Sequence, residues 1–388
     1  MPRILLILLP LLLPTYVVRF HIGPLPTTLL EVSLLVMLCA WTKSRGINGW
    51  KNSIANIRSR GWLLPLGLWL AAGTIAIFVA PNHIAALGLW RAYFLEPILI
   101  FVMLSDLIRG EKEKRTLINS LAITVTLLGL WAVGQYLGLL PISAPWDAPP
   151  QGFRAIGPFP FPNALALFCA PAAALFFALA INRKGEKIGE GGRTPPLREW
   201  IGFAAGTMAT LLAKSDGGLI AIAAAVMVTL FLKKKTRRIA VAIALISLVA
   251  TFAIQQLGQK VGDQILFREW SGKVRLVMWD ETVAMLRSRP IFGAGLGAFP
   301  VMIAPYHVAT WMEVFQYPHN ILLNLWSETG LLGLIAFGLI LFTWWRRGRT
   351  LALPMIAAIL VHGIVDVPYF KNDLAVLFWI LIIISLDE

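Results

Sequence analysis

Long apolar runs alternate with short polar segments along the whole chain of 388 residues. A transmembrane helix needs about 20 mostly apolar residues, and most of these runs come near that length. The runs that we predict to cross a membrane lie near residues 4–18, 24–41, 62–80, 90–108, 116–140, 163–182, 200–213, 217–232, 239–257, 320–345, 351–367 and 370–386. The pattern therefore predicts an all-α polytopic membrane protein with about twelve transmembrane helices.

The composition excludes a soluble protein. Hydrophobic residues make up 58% of the chain and charged residues 14%, and the mean hydropathy is +0.74. Soluble domains contain about 45–50% apolar and about 25% charged residues. Both cysteines, Cys39 and Cys169, lie within apolar runs, so we expect neither a disulfide nor a cysteine metal site.

The net charge of +14 follows the predicted membrane topology. Of the 34 Lys and Arg residues, 23 are Arg3 or belong to the short segments 43–60, 109–115, 183–199, 233–238 and 346–349. Basic residues stay on the cytoplasmic side, so we expect these segments and both termini in the cytoplasm. We therefore predict a multi-pass protein of the cell inner (cytoplasmic) membrane, whose basic residues contact membrane lipids and no nucleic acid.

Two longer segments remain for the outer side. Residues 258–318 form the longest loop, and a loop of that length usually carries function. Residues 141–162 are dense in proline and aromatic residues, which favours an extended segment. We divide the chain into transmembrane helices 1–9 (1–257), an outer loop that forms a catalytic cap (258–318), and transmembrane helices 10–12 (319–388).

The outer loop contains a predicted helix at 273–288 that lies on the membrane surface. Its apolar stripe consists of Leu276, Trp279, Val283 and Leu286, and we expect Glu281 to lie off that stripe. The glycine-rich segment 293–297 follows Pro290. No strand precedes it, so a backbone bend is a better interpretation than a dinucleotide site.

Several strings within about 150–340 resemble motifs of the O-antigen ligase and O-antigen polymerase family. They are Phe153-Arg154, Pro162-Asn163-Ala164-Leu165-Ala166, Ser271-Gly272, Arg275, Trp279, the segment 289–299, Pro318-His319-Asn320, Leu323, Glu328-Thr329-Gly330 and Gly333. One string departs from the pattern. Such proteins often have Ser-Arg-Gly between two spans, whereas this chain has Lys214-Ser215-Asp216-Gly217-Gly218.

The resemblance implies a GT-C-like glycosyltransferase. Such an enzyme moves a glycan from a polyprenyl diphosphate, such as undecaprenyl diphosphate, to an acceptor hydroxyl on the outer face of the cytoplasmic membrane. The acceptor would be a glycan, a lipid or a protein, as in the biosynthesis of lipopolysaccharide and other cell-envelope polysaccharides. No cofactor and no metal is implied, because arginine can neutralise the leaving diphosphate.

Two alternatives stay open. A ligase transfers a finished glycan and a polymerase extends a lipid-linked chain, and the motifs do not separate them. A small-solute transporter of the inorganic-carbon type is the alternative from another class. Transport favours ionisable groups near the middle of the membrane, whereas the polar residues of this chain cluster toward the outer side.

Candidate site residues follow from the resemblance and from the chemistry of the donor. Arg275 is the first candidate for binding the diphosphate, because a guanidinium group contacts two phosphate oxygens at once. The other candidates for substrate binding are Arg268, Arg154, Lys214, Asn320 and Arg91. His319 is the candidate catalytic base, since histidine titrates near neutral pH.

Other polar residues are weaker candidates. Arg91 and Glu96 are about 140° apart on an α-helix, so we do not expect a same-face pair. His362 and Asp366 have i, i+4 spacing and are expected to bond each other or a neighbouring helix. No metal site is predicted, because no ligands have suitable spacing. Ser215 has no base nearby in sequence, so we expect a single displacement that inverts the anomeric configuration.

Overall fold

The structure, a computed structural model, describes residues 2–23, 25–148, 152–182, 187–188, 192–193, 197–253, 259, 262–264, 266–309 and 311–386. Most of these residues are helical. The helices are α1 (Pro2–Leu12), α2 (Leu29–Ser59), α3 (Leu63–Val79), α4 (His83–Trp90), α5 (Glu96–Leu107), α6 (Glu111–Tyr136), α7 (Pro162–Asn182), α8 (Leu197–Leu212), α9 (Asp216–Leu232), α10 (Arg237–Ala253), α11 (Trp270–Ser288), α12 (Phe299–Ile303), α13 (Ile321–Gly363) and α14 (Asn372–Ser385). Two antiparallel strand pairs join Arg19–Ile22 to Leu25–Thr28 and Lys187–Ile188 to Gly192–Arg193.

Each predicted apolar segment contains a helix. Among the described residues, four helices are long and apolar enough to cross a membrane, namely His83–Leu107, Glu111–Tyr136, Pro162–Asn182 and Ile321–Gly363. Leu29–Ser59 and Leu63–Val79, bent by 103°, would together make a fifth. The apolar helices Arg3–Val17, Asp216–Leu232 and Asn372–Ser385 are shorter. The protein is an all-α membrane protein, and the number of twelve spans stays a prediction.

Two of the predicted loops are helical. α2 continues through 43–60 as far as Ser59 and breaks at Gly46, where φ is 58°. α13 runs through 346–349 and breaks at Gly330 and Arg349, where φ is 67° and 39°. The prediction of loops there was wrong because neither segment contains proline, so one residue with positive φ redirects a helix that otherwise continues.

The segments that we predict to be cytoplasmic contact one another. Arg347 Nε donates to the carbonyl of Arg60 (2.9 Å), and Lys114 Nζ donates to the carbonyl of Leu386 (2.9 Å). Arg198 forms a hydrogen bond with Asn119 close by. These contacts join 43–60 to 346–349 and 109–115 to the C-terminal end of α14, and the cytoplasmic orientation of these segments stays a prediction. The segment 183–199 falls largely outside the described residues.

Cysteine labelling tests the predicted orientation of these two ends. In a variant without Cys39 and Cys169, we expect Asp280→Cys to react with a membrane-impermeant maleimide from outside intact cells. Lys234→Cys is the matched control, and it should react only after the cells are opened. Labelling of position 280 from the cytoplasmic side alone would contradict the topology.

The cap helix is present, but its buried face differs from the predicted stripe. α11 covers the predicted range, yet Leu276 is 40% exposed and Glu281 is buried. The Glu281 carboxylate accepts hydrogen bonds from the backbone N–H of Val308 (2.9 Å) and from His307 Nδ1 (3.0 Å). This hydrogen bond raises the pKa of His307. These partners satisfy the carboxylate of Glu281, so that its burial costs little.

Backbone hydrogen bonds in both directions hold the outer loop against α13. The segment 293–297 forms the predicted bend, and its three glycines all have positive φ. At the first break in α13, Leu331 N–H donates to the carbonyl of Ile291 (2.9 Å), and the carbonyl of Ser327 accepts from Ala294 N–H (2.7 Å). The loop therefore supplies partners for groups that the broken helix leaves unpaired.

We expect Gly330→Ala to destabilise the protein by about 1–3 kcal/mol. Its φ of 67° strains a side chain, and a Cβ would lie 2.3 Å from the carbonyl oxygen of Ile291. Gly338→Ala in the same helix is the control, since among the described residues no atom outside the adjoining helix backbone lies within 4 Å of the new Cβ. Thermal unfolding of the purified variants checks this. Equal melting temperatures would contradict the claim that the contact between the outer loop and the break at Gly330 stabilises the protein.

Candidate active site

A cavity of about 530 Å³ lies where the ends of α7, α9 and α13 meet the outer loop and α11. Residues from five parts of the chain meet there, and its walls combine charged, polar and apolar groups. The lining residues are Arg154, Asn163, Lys214, Ser215, Asp216, Gly217, Ile220, Gln264, Phe267, Glu269, Ser271, Arg275, Val361, His362, Ile364, Val365 and Asp366. Three of the predicted substrate-binding residues, Arg154, Lys214 and Arg275, are therefore brought together.

Arg275 lines the cavity with the two Nη groups of its guanidinium unpaired among the described residues. Its Nε donates to the carbonyl of Val365 (3.0 Å), and neither Nη group has a protein partner within the described part of the chain. Burial lowers the pKa of Arg275, and nearby carboxylates, Asp366 foremost, oppose that shift. An arginine so placed stays charged and offers two parallel N–H donors to an anion.

Arg154 is held more tightly by the protein itself. Its Nε donates to the carbonyl of Ala213 (2.9 Å), and its Nη2 donates to Asn163 Oδ1 (3.0 Å). The guanidinium also lies 5.4 Å from the ring centre of Trp146. Burial lowers the pKa of Arg154, which the charge of Asp216 opposes. Arg154 therefore fixes the segment before α7 and contributes positive charge, with fewer donors left for a ligand than Arg275.

Lys214 and Ser215 form the turn before α9. Lys214 has a φ of 49°, and its carbonyl accepts a weak hydrogen bond from Arg154 Nη2 (3.3 Å). Ser215 is the N-cap of α9, since its Oγ accepts from Gly218 N–H (3.4 Å). The serine therefore has a structural role in this turn, and the exposed lysine beside it faces the cavity.

His319 lies beside a carboxylate. Its Nδ1 is 3.4 Å from Asp366 Oδ1, and its side chain is 21% exposed. The histidine has a φ of 46°, an uncommon conformation for a residue with a side chain. The carbonyl of the preceding Pro318 accepts from Trp279 Nε1 (2.9 Å), which helps to hold this backbone in place.

Asp366 links the histidine to the cationic side of the cavity. Its Oδ1 also accepts from Val367 N–H (2.8 Å), and its Oδ2 accepts from Asn163 Nδ2 (3.0 Å). Since Asn163 Oδ1 accepts from Arg154, the chain of contacts runs from His319 through Asp366 and Asn163 to Arg154. A carboxylate that contacts Nδ1 leaves Nε2 as the nitrogen available to accept a proton.

Asn320 is a helix cap. Its Oδ1 accepts from the backbone N–H groups of Leu322 (3.0 Å) and Leu323 (3.1 Å) at the start of α13. Its Nδ2 donates to the carbonyl of Ile364 (3.1 Å). Both ends of the amide are thus engaged, and Asn320 is not among the cavity-lining residues. A contact with substrate stays a prediction for this residue.

Arg268 and Arg91 do not line the cavity. The Arg268 side chain is 67% exposed and lies 4.0 Å from Asp263. Arg91 pairs with Glu31 (2.9 Å) and with Glu96 (3.2 Å). The expectation that Arg91 and Glu96 do not share a face was wrong, because residues Arg91–Leu95 form a π-helical turn. Its i→i+5 hydrogen bond joins these two residues and aligns them.

Sequence reasoning missed part of the site. Asp366 and His362 have the right spacing for a pair, but Asp366 bonds across to other segments and no hydrogen bond to the His362 side chain occurs among the described residues. Asp216 and Glu269 also line the cavity and were not candidates. Asp216 could have been suggested by its position in the string 214–218, whereas Glu269 lies outside the strings, two residues before Ser271.

No group of three His, Cys, Asp or Glu side chains within the described ranges could hold a metal ion. Independence from a metal stays a prediction, to be tested with a chelator.

The fold and the cavity define a class of protein: helical membrane proteins with a polar site, lined by cations and carboxylates, at the ends of several helices. Residues 201–338 match the family model described as O-antigen ligase. The match covers less than half of the chain, and over this region the chain is similar to the O-antigen ligase family, as the resemblance predicts. A comparison with curated proteins found no match. The matched region contains Lys214, Arg275 and His319, whereas Arg154 and Asp366 lie outside it.

Proposed function

We propose that the protein is a GT-C-like glycosyltransferase of the cytoplasmic membrane, with about twelve spans. It transfers a glycan from a polyprenyl diphosphate, such as undecaprenyl diphosphate, to an acceptor hydroxyl on the outer face. The observation that carries the proposal is that one cavity combines the free fork of Arg275 with the carboxylate partner of His319. The family match supports the same class of reaction.

The donor diphosphate binds at the cationic side of the cavity. Arg275 contacts its oxygens through both Nη groups, and Lys214 and Arg154 add positive charge. The apolar side chains of Ile220, Ile364 and other lining residues lie beside this charged region. They suit the first isoprene units of the lipid, because an amphiphilic donor needs both surfaces at once.

The acceptor loses its proton to His319. As the acceptor oxygen forms its bond to the anomeric carbon, its proton moves to Nε2 of His319. The bond between the anomeric carbon and the diphosphate oxygen breaks, and the leaving diphosphate keeps the electron pair. Asp366 stabilises the imidazolium that forms, and Arg275 stabilises the charge on the leaving group. The 3.4 Å contact between His319 and Asp366 would shorten as the charge develops.

The position of the polar groups favours transferase over transporter. The charged lining residues lie at helix ends and in the outer loop rather than along the middle of α7 or α13. Ligase and polymerase share this chemistry and differ only in the acceptor.

Reconstitution tests the proposal and separates its alternatives. Purified protein in liposomes receives a polyprenyl-diphosphate oligosaccharide together with a lipid, glycan or protein acceptor. A transferase releases polyprenyl diphosphate only when an acceptor is present. Products that grow by repeat units indicate a polymerase, and single addition indicates a ligase. Uptake of bicarbonate into the liposomes without any glycan product would favour the transporter.

A further inference from the structure

The cavity contains carboxylates as well as cations. Asp216, Glu269 and Asp366 line it together with Arg154, Lys214 and Arg275, so that the formal charges cancel. Asp366 is engaged by His319, Asn163 and Val367. Asp216 and Glu269 have no role in the proposed chemistry and need another explanation.

Both of these carboxylates are held by a polar neighbour and remain exposed. Asp216 Oδ2 accepts from Gln264 Nε2 (3.1 Å), and Glu269 Oε1 accepts from Ser271 Oγ (3.0 Å). In each pair the other carboxylate oxygen has no protein donor within the described residues. A carboxylate oriented by one donor and open on its other oxygen is well suited to accept a hydrogen bond from a hydroxyl group.

His362 provides a second, independent sign of a ligand. Its side chain is 2% exposed and lines the cavity, and its buried Nδ1 has no hydrogen-bond partner among the residues that the structure describes. An unpaired polar atom at that depth is costly unless a bound group completes it. Gly217 leaves room beside it, because a Cβ there would lie 2.5 Å from Val365 and 3.3 Å from His362.

Phe267 adds a flat apolar surface to the cavity lining. It lines the cavity, and its ring packs against Trp279 with ring centres 5.2 Å apart. A sugar ring has hydroxyl groups at its edge and an apolar face of C–H groups. The lining residues Asp216, Glu269, His362 and Phe267, together called the wall below, offer acceptors for the hydroxyl groups and an aromatic surface for the C–H face.

We propose that this wall is a carbohydrate subsite that binds the sugar joined to the diphosphate and rejects a sugar that carries a carboxylate. The inference rests on the proposed function and adds the class of donor sugar. Once the diphosphate has neutralised the cations, Asp216 and Glu269 leave the cavity negative. A neutral sugar then donates its hydroxyls to both carboxylates, whereas a uronic acid meets like charges at close range.

Two donors that differ at one carbon test the inference. They share one polyprenyl diphosphate, and the sugar next to it is a hexose in one and the corresponding hexuronic acid in the other. We expect wild type to prefer the hexose by roughly tenfold or more, both in binding and in transfer. Asp216→Asn and Glu269→Gln should each reduce this ratio. Asp263→Asn is the control, because Asp263 is exposed in the same loop and does not line the cavity.

The outcomes separate this inference from the proposed function. Equal affinity of wild type for the two donors, or a ratio that neither Asp216→Asn nor Glu269→Gln changes, would overturn the subsite. Donor binding is measured without an acceptor, by fluorescence titration, so it decides this point even if no transfer occurs. Selective binding without transfer of either donor would support the subsite and contradict the glycosyltransferase.

Discussion

Replacing His319 by alanine should lower glycan transfer by roughly 10²–10⁴-fold, the usual effect of removing a general base. The acceptor oxygen would then have to attack with its proton still attached, and Asp366 would have no imidazolium to stabilise. The side chain is 21% exposed, and the backbone around it is held by Trp279 and by the Asn320 cap, so insertion and folding should persist. Transfer rates and donor binding of the purified variant check this.

The expected pattern for His319→Ala is lost transfer with retained binding of the lipid-linked donor. His21→Ala is the matched control, because His21 lies in an exposed strand and away from the cavity lining. It should behave as wild type. Asp366→Asn should weaken transfer less than His319→Ala and should also alter its dependence on pH, since it changes the partner of the imidazolium. Full activity of His319→Ala would show that His319 is not the general base.

Replacing Arg275 by lysine should lower transfer by roughly tenfold or more, although the charge is kept. A lysine cannot place two parallel donors on a diphosphate. Its single nitrogen would also have to serve both the ligand and the carbonyl of Val365, which Arg275 reaches through a separate nitrogen, Nε. Arg275→Ala should be worse, because it leaves the leaving group without its main counter-charge. Donor affinity and kcat/KM of both variants check this.

Arg287→Lys is the control for Arg275. Arg287 lies exposed on the same helix and does not line the cavity, so its replacement should change little. If Arg275→Lys kept full turnover and donor affinity, a bidentate contact with the diphosphate at this residue would be ruled out.

The elements and the cations of the site followed from the sequence. Apolar runs of membrane length produced helices because lipid leaves the backbone no other way to satisfy its hydrogen bonds. Arg154 and Arg275, which the motif resemblance indicated, line one cavity with Lys214, which stands in the string that departs from the family pattern, whereas the predicted Arg268 and Arg91 do not line it. The exact number of spans could not be read off, because α13 covers two predicted segments and bends at single residues.

The remaining errors have physical causes that local patterns do not contain. Residues Arg91–Leu95 adopt a π-helical turn, so an angle calculated for an α-helix placed Glu96 on the wrong side. Glu281 is buried because distant backbone N–H groups reach its carboxylate. Asp366 was visible only as a neighbour of His362 at i, i+4. Its contacts with His319 and Asn163 join segments far apart in sequence, which spacing along one helix cannot reveal.

The central claim is a direct displacement at this cavity, with the diphosphate as leaving group and with His319, the partner of the lining residue Asp366, as base. The most direct test is the anomeric configuration of the new linkage, determined by NMR on product made by purified wild type in the presence of chelator. The account predicts product under these conditions, with the configuration inverted relative to the donor. A retained configuration, which requires a covalent or otherwise two-step route, or loss of all product on chelation, would contradict it.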